Sequence, residues 1–188
     1  MIQKKEIIAS VHDEIALERV LKNNEVDTVF LMSGDLLSSK DQVQKLQGKG
    51  KKVFLHIDFM QGLQTDSKGV KYVAEILKPN GIISTKGYIV QEAKKHELLT
   101  IQRIFLIDTA AFHNGIAHIR SSKPHAVEVM PGLMPKMIKR LTENLSQPVI
   151  AGGLIRTFEE ISAAFAGGAS AVSLSCPEYW SKNEEEGK

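Results

Sequence analysis

Eight times along the chain, a short apolar run is followed by a polar or glycine-bearing turn and then by an amphipathic stretch. The runs occupy residues 6–11, 28–32, 52–57, 81–84, 100–105, 126–130, 148–151 and 171–174. They are short and mostly rich in Val and Ile, as parallel strands are when both faces are covered. Between them the apolar positions shift to a helical period. Val70, Val73, Ala74 and Leu77 recur at i, i+3, i+4 and i+7, with Pro79 as the stop. Met134, Met137, Ile138, Leu141 and Leu145 form a second stripe. Thr157-Phe-Glu-Glu160 reads as a capping box, in which the Thr hydroxyl takes the Glu160 amide and the Glu carboxylate reaches back. Ile161, Ala164 and Phe165 then make the apolar face, and Gly167-Gly168 ends that helix.

Strands alternating with helices predict an α/β chain with a parallel sheet. Eight units predict closure into a compact TIM-like (β/α)8 barrel with short units. The 188 residues leave about 23 per unit, against roughly 31 in a typical barrel. A doubly wound open sheet is the alternative; it fits the length more easily and the strand count less well. One domain is expected over 1–188, with a frayed, solvated tail at 182–188, where Glu184, Glu185 and Glu186 fall. Apolar residues make up 43% and charged residues 24% of the chain, which excludes a disordered, collagen-like or disulfide-stapled protein. The net charge is only +2, so bulk charge does not indicate a strongly electropositive nucleic-acid binder. Local basic clusters, such as Lys136, Lys139 and Arg140, read as solvated helix faces and are a weak RNA signal. The single Cys176 excludes an internal disulfide and is expected as a small apolar filler. A reducing, cytoplasmic location is expected, with no membrane span or signal segment.

In a parallel barrel the working face lies at the C-terminal ends of the strands. There the chain places His56-Ile57-Asp58, Ser84-Thr85-Lys86, Gln102-Arg103, Glu128, Gly152-Gly153, and Ser173 with Ser175. Period-two alternation puts His56 with Asp58, Ser84 with Lys86, and Ser173 with Ser175 on single faces. One such residue alone suits a polar plug between strands; the whole set suits a ligand pocket. Gly152 and Gly153 let backbone N–H groups approach an anion, and one unit later Ser173 and Ser175 add hydroxyls. This matches the phosphate site that many barrels build after strands seven and eight. The expected phosphate holders are therefore Gly152, Gly153, Ser173 and Ser175. Asp58, Lys86, Gln102, Arg103 and Glu128 are the candidates for polyol hydroxyls or supporting contacts. His56 and Asp58 could seat a metal, but two ligands are too few, so no metal or cofactor site is expected, and no carboxylate pair has a recognisable catalytic spacing. His12, His96, His113, His118 and His125 show no ligand spacing and read as surface or packing residues. The residues by themselves reach a small phosphorylated polyol. A phosphate-binding barrel isomerase or synthase acting on a small phosphorylated polyol or sugar, with Asp58 and Glu128 as acid and base, is the alternative.

The strings HID at 56–58, GIIST at 81–85, LLTIQR at 98–103, EVMPG at 128–132 and PVIAGGLIRT at 148–157 occur in that order. With them the chain closely resembles the glycerol uptake operon antiterminator family, from about residue 7 to residue 180. The resemblance implies a compact TIM-like barrel that is a regulator rather than an enzyme. It implies glycerol 3-phosphate as regulatory ligand and a leader messenger RNA of glycerol-catabolism operons as partner. It identifies no RNA-contacting residue. A homo-oligomer that gathers local charge is a further expectation.

Overall fold

The computed structural model describes Ile2 and residues 4–181; the tail expected at 182–188 lies outside the described residues. Eight parallel strands close into a barrel in chain order, with β8 (Ala171–Leu174) pairing back onto β1 (Glu6–Val11). Between them run β2 (Thr28–Leu31), β3 (Lys52–His56), β4 (Gly81–Ser84), β5 (Leu99–Phe105), β6 (Ala126–Met130) and β7 (Val149–Gly152). Every run expected from the sequence is a strand, with ends shifted by at most a residue or so. The open-sheet alternative is excluded by the β1–β8 ladder, in which Ile8 registers with Ser173.

The helices are α1 (Glu14–Lys22), α2 (Ser39–Gly48), α3 (Ser67–Tyr72), α4 (Gly87–Lys95), α5 (Thr109–Ser122), α6 (Pro135–Asn144) and α7 (Phe158–Ala166). Short units are achieved by short strands and mostly short helices; seven units keep an α-helix, and after β8 the described residues hold only a 3₁₀ turn over Pro177–Tyr179. The stripe expected from Val70 to Leu77 is not one α-helix. After α3 it widens into a π turn over Val73–Leu77, which ends where Lys78 takes a left-handed conformation, one residue before Pro79. Both halves of the capping box at Thr157 and Glu160 are formed. In α6, Ile138 and Leu141 are buried as the stripe requires. Among the described residues no helix is long and apolar enough to cross a membrane.

Two apolar clusters fill the molecule. The larger lies between strands and helices. The smaller fills the barrel lumen with Ile8, Phe30, Phe54, Ile83, Ile101, Ala126, Ile150 and Ala171. Phe30 and Phe54 meet edge to face with ring centroids 5.9 Å apart, a favoured aromatic geometry. Gly81 completes this layer, because a Cβ there would strike the Leu99 carbonyl oxygen and come within 2.7 Å of the Phe54 ring.

Candidate functional site

Strand residues two apart share a face. Stepping two residues on from the apolar lumen layer therefore gives the next layer toward the C-terminal mouth: Ser10, Met32, His56, Thr85, Arg103, Glu128, Gly152 and Ser173. Most of this layer is polar and almost all of it is buried, with Glu128 fully enclosed and Arg103 only 4% exposed.

Glu128 is its centre. Arg103 Nε donates to Glu128 Oε2 at 2.7 Å, and Ser173 Oγ donates to Glu128 Oε1 at 2.6 Å. Both carboxylate oxygens are thus engaged by short, charge-assisted bonds. Gly152 is there for their sake: a Cβ would run into Ser173 Oγ and lie 2.6 Å from Glu128 Oε1. Arg103 Nη2 also approaches the Met32 sulfur at 3.5 Å. A guanidinium carries five N–H donors, and no second carboxylate joins Arg103 among the described residues. Donors therefore remain for another acceptor at the mouth.

His56 is 2% exposed and neither ring nitrogen has a hydrogen-bond partner. Its ring stacks on Phe59, with centroids 4.0 Å apart. Burial, and after it the charge of Arg103, push its pKa down from 6.5 to about 4, so near neutral pH it is an uncharged imidazole with one donor and one acceptor to offer. His12, exposed just beyond β1, is shifted in the same direction, first by the protein around it and then by Arg103.

Several expectations change at this point. Asp58 does not share a strand face with His56, because a 3₁₀ turn over Ile57–Phe59 breaks the alternation. Its oxygens accept from Ser84 Oγ at 2.9 Å, Thr85 N at 2.7 Å and Thr85 Oγ1 at 2.9 Å, fastening the end of β3 to the end of β4. Lys86 is exposed at the rim as the N-cap of α4. Gln102 faces away from the lumen, toward the helices, where it accepts from Ser122 Oγ of α5; this placement does not bring it to a ligand in the mouth. Gly153 takes φ +77° and Leu154 φ +66°, turning the chain sharply above β7. The backbone amides of Arg156 and Thr157, at the start of α7, donate to Glu160 Oε2 at 2.6 and 3.1 Å. The helix's own carboxylate thus stands where an anion would be expected. Ser175 is exposed above Ser173. Cys176 is half-buried, not an apolar filler. Its Sγ donates to Glu178 Oε2 at 2.7 Å, and that bond raises the thiol pKa.

The sequence places His56 at the mouth, though only as a metal ligand; the same alternation, running from Ile8, also brings in Ser10. His12 lies two residues past Ser10, just beyond β1. A separate cavity of about 350 Å³ between units one and two is lined by Asp13, Glu14 and Asp35; these carboxylates repel a phosphate. No group of three or more potential metal ligands occurs among the described residues.

The family model for the glycerol-3-phosphate responsive antiterminator matches residues 7–180. The crystal structure of a glycerol uptake operon antiterminator regulatory protein from Listeria monocytogenes superposes with a TM-score of 0.91 at 35% identity, covering 95% of this chain and 96% of that one. A glycerol uptake operon antiterminator-related protein from Thermotoga maritima gives 0.83 at 32%, covering 95% and 99%. The Escherichia coli K12 protein YgcP is 29% identical over 180 residues, or 96% of this chain and 94% of that protein.

Proposed function

The chain belongs to the glycerol-3-phosphate responsive antiterminator family, a family of regulators and not of enzymes, and from that premise we propose that it binds glycerol 3-phosphate in the barrel mouth and, so loaded, acts in the cytoplasm on the leader of a glycerol-operon messenger RNA. The observation that carries the ligand half is the buried, incompletely satisfied pair of Arg103 and His56 at the base of the mouth. A phosphate monoester carries nearly two charges near neutral pH, and Arg103 is a permanent cation with donors to spare. His56, uncharged, suits a hydroxyl better than a dianion.

The phosphate lies toward the Gly153 turn and the Ser175 hydroxyl, with Gly152 and Ser173 acting from beneath by keeping Glu128 in place. Glu128, Asp58 and Lys86 remain candidates for the glycerol end. Ligand binding favours one arrangement of the mouth, and RNA affinity changes to the extent that RNA distinguishes the two arrangements. The coupling is reciprocal.

A leader-RNA gel shift at fixed salt, with and without glycerol 3-phosphate, tests this reading. Ligand-dependent retardation of the leader is expected, together with tighter ligand binding when RNA is present. Titrations without coupling in either direction contradict it.

A further inference from the structure

Among the described residues nine large apolar side chains are exposed, and eight of them sit on the face at the C-terminal ends of the strands. Each of the first seven βα units contributes at least one. The ninth, Ile76, lies in the π turn at the other end of the barrel. Scattered single apolar residues are ordinary on a protein surface; a ring of them on one face marks an interaction surface. We propose that this face is the interface of a two-fold homodimer in which the two barrel mouths meet.

The apolar pairings and three of the four charge pairings favour one axis; the fourth sets Asp35 of unit two against Asp108 of unit five, acid against acid. In a closed eight-unit barrel, units four apart lie opposite one another. An in-plane two-fold axis passing between units three and four, and between seven and eight, brings unit one onto the partner's unit six, two onto five, three onto four and seven onto eight.

Unit one carries Asp13 and Glu14, and unit six carries Lys136, so acid meets base. Ile15 and Leu133 accompany them. Unit two carries Leu37 and unit five Ile107, the two most exposed apolar side chains at 93% and 84%, and these cover each other. Unit three brings Phe59 and Asp66, and unit four Tyr88 and Lys86, pairing ring with ring and acid with base. Unit seven brings Arg156 to the Glu178 of unit eight. Each pairing occurs twice by symmetry, as an isologous interface requires. The mostly aliphatic ring, with carboxylates at Asp13, Glu14, Asp35 and Asp66 interspersed with Lys86, Lys136 and Arg156, suits a second copy of the chain.

Analytical ultracentrifugation of the full chain over a concentration series tests this. The wild type is expected to dimerise. Leu37→Glu and Ile107→Glu should each weaken the dimer at least tenfold, while Ile76→Glu at the far end leaves it intact. Glu14→Lys and Lys136→Glu should each weaken it, and together restore it, with circular dichroism confirming that every variant is folded. A wild type that stays monomeric up to its solubility limit overturns the proposal. So does a dimer that survives both glutamate substitutions, or is lost with Ile76→Glu. A monomeric wild type whose RNA binding disappears in Leu37→Glu overturns it in favour of RNA as the occupant of this face. Failure of the charge exchange to restore association overturns the stated axis.

Discussion

The two layers of the barrel lumen, one step of two residues apart on every strand, have opposite chemistry. The lower layer is apolar and tightly filled: Phe54, Ile83, Ile101, Ala126 and Ile150 meet with nothing left to satisfy. The upper layer replaces them with His56, Thr85, Arg103, Glu128 and Gly152, where every polar atom must find a partner and two imidazole nitrogens have not. The lower layer sets the radius and register of the barrel; the upper one spends stability to hold polar groups ready. Proteins keep such groups where function needs them, because an all-apolar replacement is often as stable or more so.

The largest expected effects separate the layers by whether loss can be repaired. Arg103→Ala or Glu128→Ala strands one buried charge and should cost about 3–5 kcal/mol by chemical denaturation. Replacing both, as Arg103→Met with Glu128→Leu, should recover most of that. Phe54→Ala in the layer below should also cost about 3–5 kcal/mol, with no single partner substitution to offset the cavity. If the double variant is no better than the single ones, the upper layer is structural and the contrast fails.

Next comes pH. His56 titrates near 4 in the folded state and 6.5 when unfolded. Below 6.5 the unfolded chain takes up a proton that the folded chain refuses, so stability falls as pH falls toward 4. At roughly 1.4 kcal/mol per unit this is about 3 kcal/mol at most. The wild-type slope should therefore exceed that of His56→Gln across this window; parallel curves would show that the imidazole is not held neutral. The apolar layer has nothing to titrate.

The smallest difference is between two glycines. Gly81→Ala and Gly152→Ala each force a Cβ into an occupied space, and each should cost about 1–3 kcal/mol. Removing the Ser173 hydroxyl as well should relieve part of the Gly152→Ala cost, the close approach to Glu128 Oε1 remaining, and none of the Gly81→Ala cost. Equal relief in both, or in neither, would mean that Gly152 does not serve the Glu128 pair.

Most of this architecture was legible in the sequence, because buried parallel strands show themselves as short Val- and Ile-rich runs. The faces were less so. In a barrel both faces of a strand are covered, one by the lumen and one by helices, so alternation sorts residues into two sets without saying which set looks inward. That is why the sequence groups Gln102 with its neighbour Arg103 although they point to opposite sides. The pairing of His56 with Asp58 failed for a different reason, since a 3₁₀ turn ends the period-two rule at Ile57. The capping box at Thr157 was readable, yet its consequence emerges only in three dimensions, where Glu160 takes the amides that an anion would use.

The central claim, that the upper layer and the turn above it hold a phosphorylated polyol, is tested most directly by calorimetric titration of glycerol 3-phosphate into the wild type and Gly153→Asp. Asp tolerates a left-handed backbone, so the variant should fold while placing a carboxylate where the phosphate goes. One ligand per barrel in the wild type and none in the variant, with the unliganded melting temperature little changed, is the predicted result. Equal binding by both proteins would contradict it.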